Sequence, residues 1–483
     1  MALVVKVIAL VPALALLGAC GSTSDSGMSA STLTNDDYTV GGTASGMIGA
    51  GLKLQINGGS TLPLAVNGAF TFPGTIHSGG SYLVTIATQP SNPPQTCVLK
   101  GASGTVGSSA ITNVAVTCNQ FAYGANGTGI FCFAVKTTSG ALAPLAQPQC
   151  DSGDLVTVAV DPAGPFVYAT DGSGPNTTGG NVRMYRVGSA TGALVRLSAI
   201  SAEPSTAAYV FSITVDPTGS FVYAGGYGNS VSAFAIDPNT GLLTALPESP
   251  FAAGGGYINA LTTDPSGKFL YTANTTTNDV SALAIDPTTG SLTPVPGSPF
   301  AAGNAPEAIV VDPAGRFVFV ATSVNASVST AAPVFAPNVA VFTIDSSTGA
   351  LAPAPASSLT VPCPNQSGGA SSLAVDASGA FLYVIITCPM PGSAPISYIW
   401  GFAIDPSTGA LAALPASPFL SGPEPNGPAD VTARGQVLYV SNGIGTVSTF
   451  AIDEMTGGLT QVTGSPIISG SNTEALYNIV FVP

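Results

Sequence analysis

The sequence predicts an all-β protein: a seven-bladed β-propeller of four-stranded blades, preceded by a small β-sandwich. Three observations carry this reading. A two-part phrase repeats from Phe121 to the end of the chain, an aromatic residue closes the second strand of each repeat, and the last strand has no partner within its own repeat.

The first half of the phrase is clearest in Ile213-Thr-Val-Asp-Pro-Thr-Gly-Ser-Phe-Val-Tyr223, Leu261-Thr-Thr-Asp-Pro-Ser-Gly-Lys-Phe-Leu-Tyr271 and Ile309-Val-Val-Asp-Pro-Ala-Gly-Arg-Phe-Val-Phe319. Each is a pair of short apolar strands joined by an Asp-Pro-x-Gly turn. The second half, as in Val280-Ser-Ala-Leu-Ala-Ile-Asp-Pro-Thr-Thr-Gly-Ser-Leu292, adds a third strand, another turn and a fourth strand running toward Ser298-Pro299-Phe300. Four strands per repeat make one blade. The closing aromatics fall at Tyr123, Tyr168, Tyr223, Tyr271, Phe319, Tyr383 and Tyr439, spaced 45 to 64 residues apart, so seven blades follow. The first repeat lacks an Asp-Pro strand before Tyr123, and Tyr477-Asn-Ile-Val-Phe-Val-Pro483 supplies it from the far end of the chain, closing the ring and removing its open edges.

Ahead of the repeats, residues 38–119 alternate apolar and polar positions in short runs such as Leu52-Lys-Leu-Gln-Ile56 and Val114-Ala-Val-Thr-Cys118, the pattern of a small antiparallel sandwich. The segment resembles the Ig-like modules found near the N-termini of bacterial surface lipoproteins. Residues 1–19 read as a signal peptide, with Lys6, an apolar stretch from Val7 to Leu17 and small residues before Cys20. Leu17-Gly18-Ala19-Cys20 resembles the bacterial lipoprotein box, which implies lipidation of Cys20, a membrane partner reached through that lipid, and a cell-envelope location. Gly21 in place of Asp implies the outer membrane. Residues 20–37 are a Ser- and Gly-rich tether, and 120–483 form the propeller.

Composition bounds the rest. Mean hydropathy is +0.44 and 7% of residues are charged. Beyond the first twenty residues no apolar run approaches the roughly 18 residues of a spanning helix. The 58 glycines and 40 prolines sit at regular turn positions. With 24 acids against 10 bases and no basic patch, nucleic acid is excluded as a partner. Apart from Cys20, six cysteines pair by repeat position as Cys97 with Cys118, Cys132 with Cys150 and Cys363 with Cys388. No Cys-x-x-Cys occurs and the single histidine, His77, lies in a loop of the sandwich, so neither a metal site nor a cofactor is expected.

The two turn types fall on one face of the propeller. The connections of the opposite face vary, with long ones at Thr322–Asn338, Thr170–Asn181 and Ile386–Ser397, and binding residues usually sit on such loops. Ten recurrent turn aspartates, including Asp216, Asp264, Asp312 and Asp405, cap local backbone.

The repeated Asp-Pro-x-Gly-x-Phe-x-Tyr, Asp-Pro-x-Thr-Gly-x-Leu and Ser-Pro-Phe motifs resemble the lactonase-type seven-bladed family, which includes 6-phosphogluconolactonases. The resemblance implies His, Arg and Glu around the variable mouth of the channel, often with His five residues before the Asp-Pro turn. Here those positions are Val156, Phe211, Asn259, Glu307, Ser371, Gly427 and Tyr477, and the propeller has no histidine. Lactone opening needs a base near neutrality and a donor for the developing oxyanion. Glu307 is the candidate base and Arg183 the candidate cation. The expected role is binding of a protein, carbohydrate or small molecule at the variable face through Phe211, Asn259, Glu307, Asp430, Glu474 and Tyr477, more in keeping with a non-enzyme; sugar-lactone hydrolysis is the alternative. Trp400 and Tyr398 read as packing residues on a blade-six strand.

Overall fold

The structure is a computed structural model that describes residues 36–482, apart from 48–49, 91–94, 137–138, 172–179, 203–208, 255, 324–337, 361–368, 391–392, 421–427, 444 and 470–475. Cys20, Cys363, Glu474, Gly427 and most of the Thr322–Asn338 and Thr170–Asn181 connections lie outside the described residues.

Every element among them is β. The N-terminal part folds into two four-stranded sheets, one ordered Gly68–Thr71, Val40–Ser45, Ile111–Asn119, Thr96–Lys100 and the other Thr61–Pro63, Lys53–Ile56, Ser81–Thr88, Ser103–Thr105. They share one core that includes Val40, Leu54, Phe70, Val84, Val114 and Val116. The strands Val40–Ser45 and Ile111–Asn119 pair in parallel, which the sequence reading of a purely antiparallel sandwich did not foresee. Cys97 and Cys118 stand opposite each other on neighbouring strands and form a disulfide. His77 lies on a short strand rather than a loop; Ile76–His77 pairs with Asp37–Tyr38, and the exposed imidazole meets the Asp37 carboxylate at 3.1 Å.

The remaining strands form seven sheets arranged as blades. Blade one joins Phe121–Ala125, Gly129–Val135 and Leu142–Ser152 to Asn478–Phe481, which pairs antiparallel with Phe121–Ala125 and closes the ring. Blades two to seven begin at Leu155–Val160, Val210–Val215, Ile258–Thr263, Pro306–Val311, Gly369–Val375 and Pro428–Arg434. These inner strands surround the channel, and each packs against the inner strands of the two neighbouring blades. Cys132–Cys150 bridges two strands of blade one. Cys388 is disulfide-bonded as well.

The recurrent residues hold one blade to the next. The hydroxyls of Tyr123, Tyr168, Tyr223, Tyr271, Tyr383 and Tyr439 donate to the carbonyls of Gly192, Gly241, Gly290, Gly349, Gly457 and Gly140, in each case on a turn of the following blade, at 2.7 to 3.2 Å. Two residues before five of these tyrosines a phenylalanine fills the space beneath the same glycine, and before Tyr439 Val437 takes that place against Gly140. A Cβ at Gly241 would come within 2.2 Å of the Phe166 ring, and its φ of 73° suits glycine. Blade five has Phe319 in the tyrosine's place; there Arg316 reaches the blade-six turn instead, donating to the Pro406 carbonyl at 2.9 Å. Arg316, on an exposed turn, is therefore a strut between blades.

One expected connection is replaced by paired strand. In blade six the strands Phe381–Met390 and Ser393–Ile404 continue as a hairpin out to Met390 and Ser393. The run Leu382-Tyr-Val-Ile-Ile-Thr387 is β-branched and aromatic enough to extend the ladder through Ile386–Ser397. Trp400 and Tyr398 pack against the core between blades five and six, as expected.

Candidate functional site

The mouth of the channel on the variable face is built by a repeated irregularity. Each inner strand of blades three to seven slips register near its start, between Val210 and Ser212, Ile258 and Ala260, Pro306 and Ala308, Ala370 and Ser372, and Pro428 and Asp430. A bulge adds an unpaired residue and re-aims its side chain. The bulged residues are Phe211, Asn259, Glu307, Ser371 and Ala429. The first four are the positions counted back from the turn aspartates Asp216, Asp264, Asp312 and Asp376. Blade seven corrects the fifth: its bulge is at Ala429, two residues after Gly427. That blade has no Asp-Pro turn; Arg434 pairs with Val437 across a two-residue connection, so counting from a longer turn overshoots.

The structure brings Phe211, Asn259 and Glu307 together. The Asn259 side-chain amide donates to the Glu307 carbonyl at 2.9 Å. The Glu307 carboxylate accepts the Ser323 hydroxyl, and burial raises its pKa against the opposing effect of that hydrogen bond. Around Phe211 stand three rings the sequence reading did not single out. Tyr209 stacks on it with centroids 5.6 Å apart, and Tyr227 and Tyr257 meet it edge-on at 4.9 and 5.2 Å. Tyr227 and Tyr257 contact each other at 4.7 Å. The four rings come from strand starts and ends of blades three and four, and Tyr227 is 49% exposed, which leaves the cluster an open side. Burial, then Tyr227 and the Glu307 carboxylate, push the Tyr257 hydroxyl up to about 12. Tyr209 and Tyr227 flank the strand pair that carries Phe211, whereas Tyr257 comes from the start of the next blade and is joined to them only by packing.

Asp430 sits one residue inside its bulge. Its carboxylate accepts the Ser372 hydroxyl of blade six at 2.6 Å, and Ser372 in turn accepts the Val431 backbone N–H at 3.2 Å. Ser212 and Asn478 occupy the same place in blades three and one and bond the next blade likewise, Ser212 to Leu261 N–H and Asn478 to both N–H and carbonyl of Val158. Asp430 thus stands in a ring of seam residues lining the channel. Burial pushes its carboxyl up to about 7. Tyr477 is half exposed and lies beside Gly127 and Asp154, apart from the ring cluster.

Arg183, the candidate cation, is engaged by two acids. Its guanidinium is held at 2.7 Å by Asp171 and 3.3 Å by Asp151, with the Tyr185 hydroxyl donating to Asp151 at 2.6 Å. Its charge is spent on closing the seam between blades one and two. The mouth therefore offers aromatic faces, one amide and two carboxyls displaced toward neutrality. Such groups hold a polar ligand and can exchange a proton with it. Farther along the channel, a mostly apolar cavity of about 490 Å³ extends toward the turn face between Val158, Ile213, Thr432 and Val480, with Arg434 and Asn478 also in its lining. The described residues contain no cluster of three or more His, Cys, Asp or Glu able to hold a metal ion.

Comparison with known proteins places this architecture. Residues 113–249 and 230–332 match the family described as Lactonase, 7-bladed beta-propeller. No curated protein matches the chain. Among solved structures, a periplasmic gluconolactonase from Pseudomonas aeruginosa superposes with a TM-score of 0.59 at 16% identity, covering 76% of this chain and 99% of its own. A structure from Bacteroides uniformis described as a candidate 6-phosphogluconolactonase gives 0.58 at 18% identity, with 75% and 99% covered. A protein from Lactobacillus plantarum gives 0.59 at 17%, with 76% and 99% covered. Through residues 113–332, the propeller is similar to the lactonase-type seven-bladed β-propeller family.

Proposed function

We propose that this protein is a binding protein that holds a small polar molecule, or the exposed end of a glycan or protein ligand, at the variable mouth of its propeller. The observation that carries this is the four-ring cluster of Tyr209, Phe211, Tyr227 and Tyr257, open at Tyr227 and flanked by Asn259 and Glu307. Exposed clustered aromatics offer a large contact area at low entropic cost, and adjacent polar groups orient what rests on them. Tyr477 and Asp430 extend the site around the ring, and Glu474 belongs to it by its place in the sequence.

Lactone hydrolysis is the second reading, favoured by the family match and by two channel carboxyls, Glu307 and Asp430, displaced toward neutrality. A carboxylate there would deprotonate a water for attack on the lactone carbonyl. The opposing consideration is the absence of histidine from the propeller and the engagement of Arg183 by two acids. The deciding experiment is the rate at which the protein opens 6-phosphogluconolactone and unphosphorylated aldonolactones, corrected for spontaneous opening. A rate equal to the blank, with ligand binding lost in an Asn259→Ala, Glu307→Ala, Tyr477→Ala variant, supports the binding role. Turnover abolished by Glu307→Gln would replace it with hydrolysis.

The same proposal places the propeller in the cell envelope, anchored through a lipid on Cys20. The lipoprotein-like box and the disulfides Cys97–Cys118 and Cys132–Cys150, which belong to an oxidising compartment, support it. Fatty-acid labelling of the expressed protein, lost on Cys20→Ser, is the expected result; labelling of both or of neither would refute the anchor.

A further inference from the structure

The charges around the mouth narrow the class of ligand. By sequence, no strand end or connection on the variable face carries a lysine or arginine other than Arg183, and Arg183 is already shared by Asp151 and Asp171. The acids there include Asp154, Glu307 and Asp430 within the described residues. A phosphate or carboxylate arriving at this mouth would meet like charge with no cation to receive it, in a chain of net charge −14.

An organic cation would meet the reverse. The face of an aromatic ring carries negative potential, and a cation resting on it gains most when little water must be removed from it. An alkylated ammonium is such a cation, whereas a primary ammonium holds its water tightly. The ring centroids of Phe211, Tyr227 and Tyr257 lie within 5.2 Å of one another, and Asn259, two residues from Tyr257, donates to the Glu307 backbone carbonyl at 2.9 Å, which sets Glu307 on the neighbouring strand of the same mouth. We propose, resting on the binding role above, that the mouth recognises an alkylated ammonium group, on a small molecule or at the end of a larger ligand, through the ring cluster and Glu307.

The test compares choline with 3,3-dimethylbutan-1-ol, which has the same shape with carbon in place of nitrogen and no charge, by calorimetric titration of the full chain. Choline is expected to bind at least about tenfold more tightly than the alcohol, with Glu307→Gln erasing most of that ratio, Glu307→Asp retaining it, and Tyr227→Ala weakening choline alone. Melting curves of the three variants exclude unfolding as the cause. Equal affinities for the two probes, or no choline binding by the wild-type protein, would overturn the inference. If saccharides or lactones bind with dependence on Phe211 and Tyr227 while choline does not, the cation reading falls and the binding role stands. If none of these ligands binds, both fall.

Discussion

On the turn face Asp216 accepts the backbone N–H groups of Thr218, Ser220 and Phe221 at 2.6 to 3.0 Å, while on the opposite face Glu307 accepts the Ser323 hydroxyl and lies half-buried beside tyrosine rings. Asp264 and Asp376 repeat the first arrangement, each accepting the three corresponding N–H groups. Both faces are made by one repeat, so the difference lies in where polar groups are consumed. The turn face consumes them in its own backbone and in latches between blades. The mouth leaves carboxyls and aromatic edges beside a channel, where a ligand can use them.

If that division is right, the largest stability effects belong to the turn face. Gly241→Ala places a Cβ 2.2 Å from Phe166 at a φ of 73°. The combination of backbone strain and overpacking should cost about 3 kcal/mol in urea unfolding. A loss under about 1 kcal/mol would mean the blades part easily at this seam and would undo the claim that the turn face carries the ring.

Asp430 sharpens the comparison from the other side, since it is a mouth residue whose burial works against the fold. Its carboxyl titrates near 3.8 when unfolded and at about 7 in the folded protein. The folded state therefore holds the extra proton between those values. Stability from this group is complete below about pH 4 and falls as pH rises toward 7. Asp430→Asn should remove that slope, with a gain on the order of 2 kcal/mol at pH 8 and little change at pH 4. A variant no more stable than wild type at pH 8 would show that Asp430 is satisfied as a carboxylate, and that seam and mouth do not differ in this respect.

How much of this was legible in the sequence follows the same division. The turn face was readable because its chemistry is local and repeated: Asp, Pro, Gly, Phe and Tyr recur at fixed offsets, and each recurrence restates the same hydrogen bonds. Closure by Asn478–Phe481 followed from counting strands. The mouth was readable at Phe211, Asn259 and Glu307 because they sit a fixed distance from an Asp-Pro turn. It failed at Gly427, where blade seven shortens its turn around Arg434. The ring cluster was missed because Tyr209, Tyr227 and Tyr257 belong to different strands and blades, and packing alone brings them to Phe211. The fate of Arg183 was equally hidden, since Asp151 lies 32 residues away in the preceding blade.

The latches predict smaller effects of defined sign. Tyr223→Phe removes the 3.0 Å hydrogen bond to the Gly290 carbonyl and should cost about 1 kcal/mol. Phe319→Tyr would offer blade five the hydroxyl it lacks, and a gain of about 0.5 kcal/mol or more in thermal or urea unfolding is expected if the Gly409 carbonyl is in reach. A loss of similar size would show that Arg316, through Pro406, has taken over that seam and leaves no room for a second donor.

The smallest stability effect is the most informative about function. Tyr227 is 49% exposed and meets Tyr209 and Phe211 edge-on and Tyr257 at a tilt, so Tyr227→Ala removes a modest buried surface and should change unfolding free energy by about 0.5 kcal/mol. The same substitution takes away the open side of the cluster and should abolish most ligand affinity at the mouth. A residue costly to binding and nearly neutral to folding is what a surface kept for a partner requires. If Tyr227→Ala instead unfolds the protein as readily as Gly241→Ala, the cluster is a packing device like the tyrosine latches, and the two faces differ in sequence variability without differing in role.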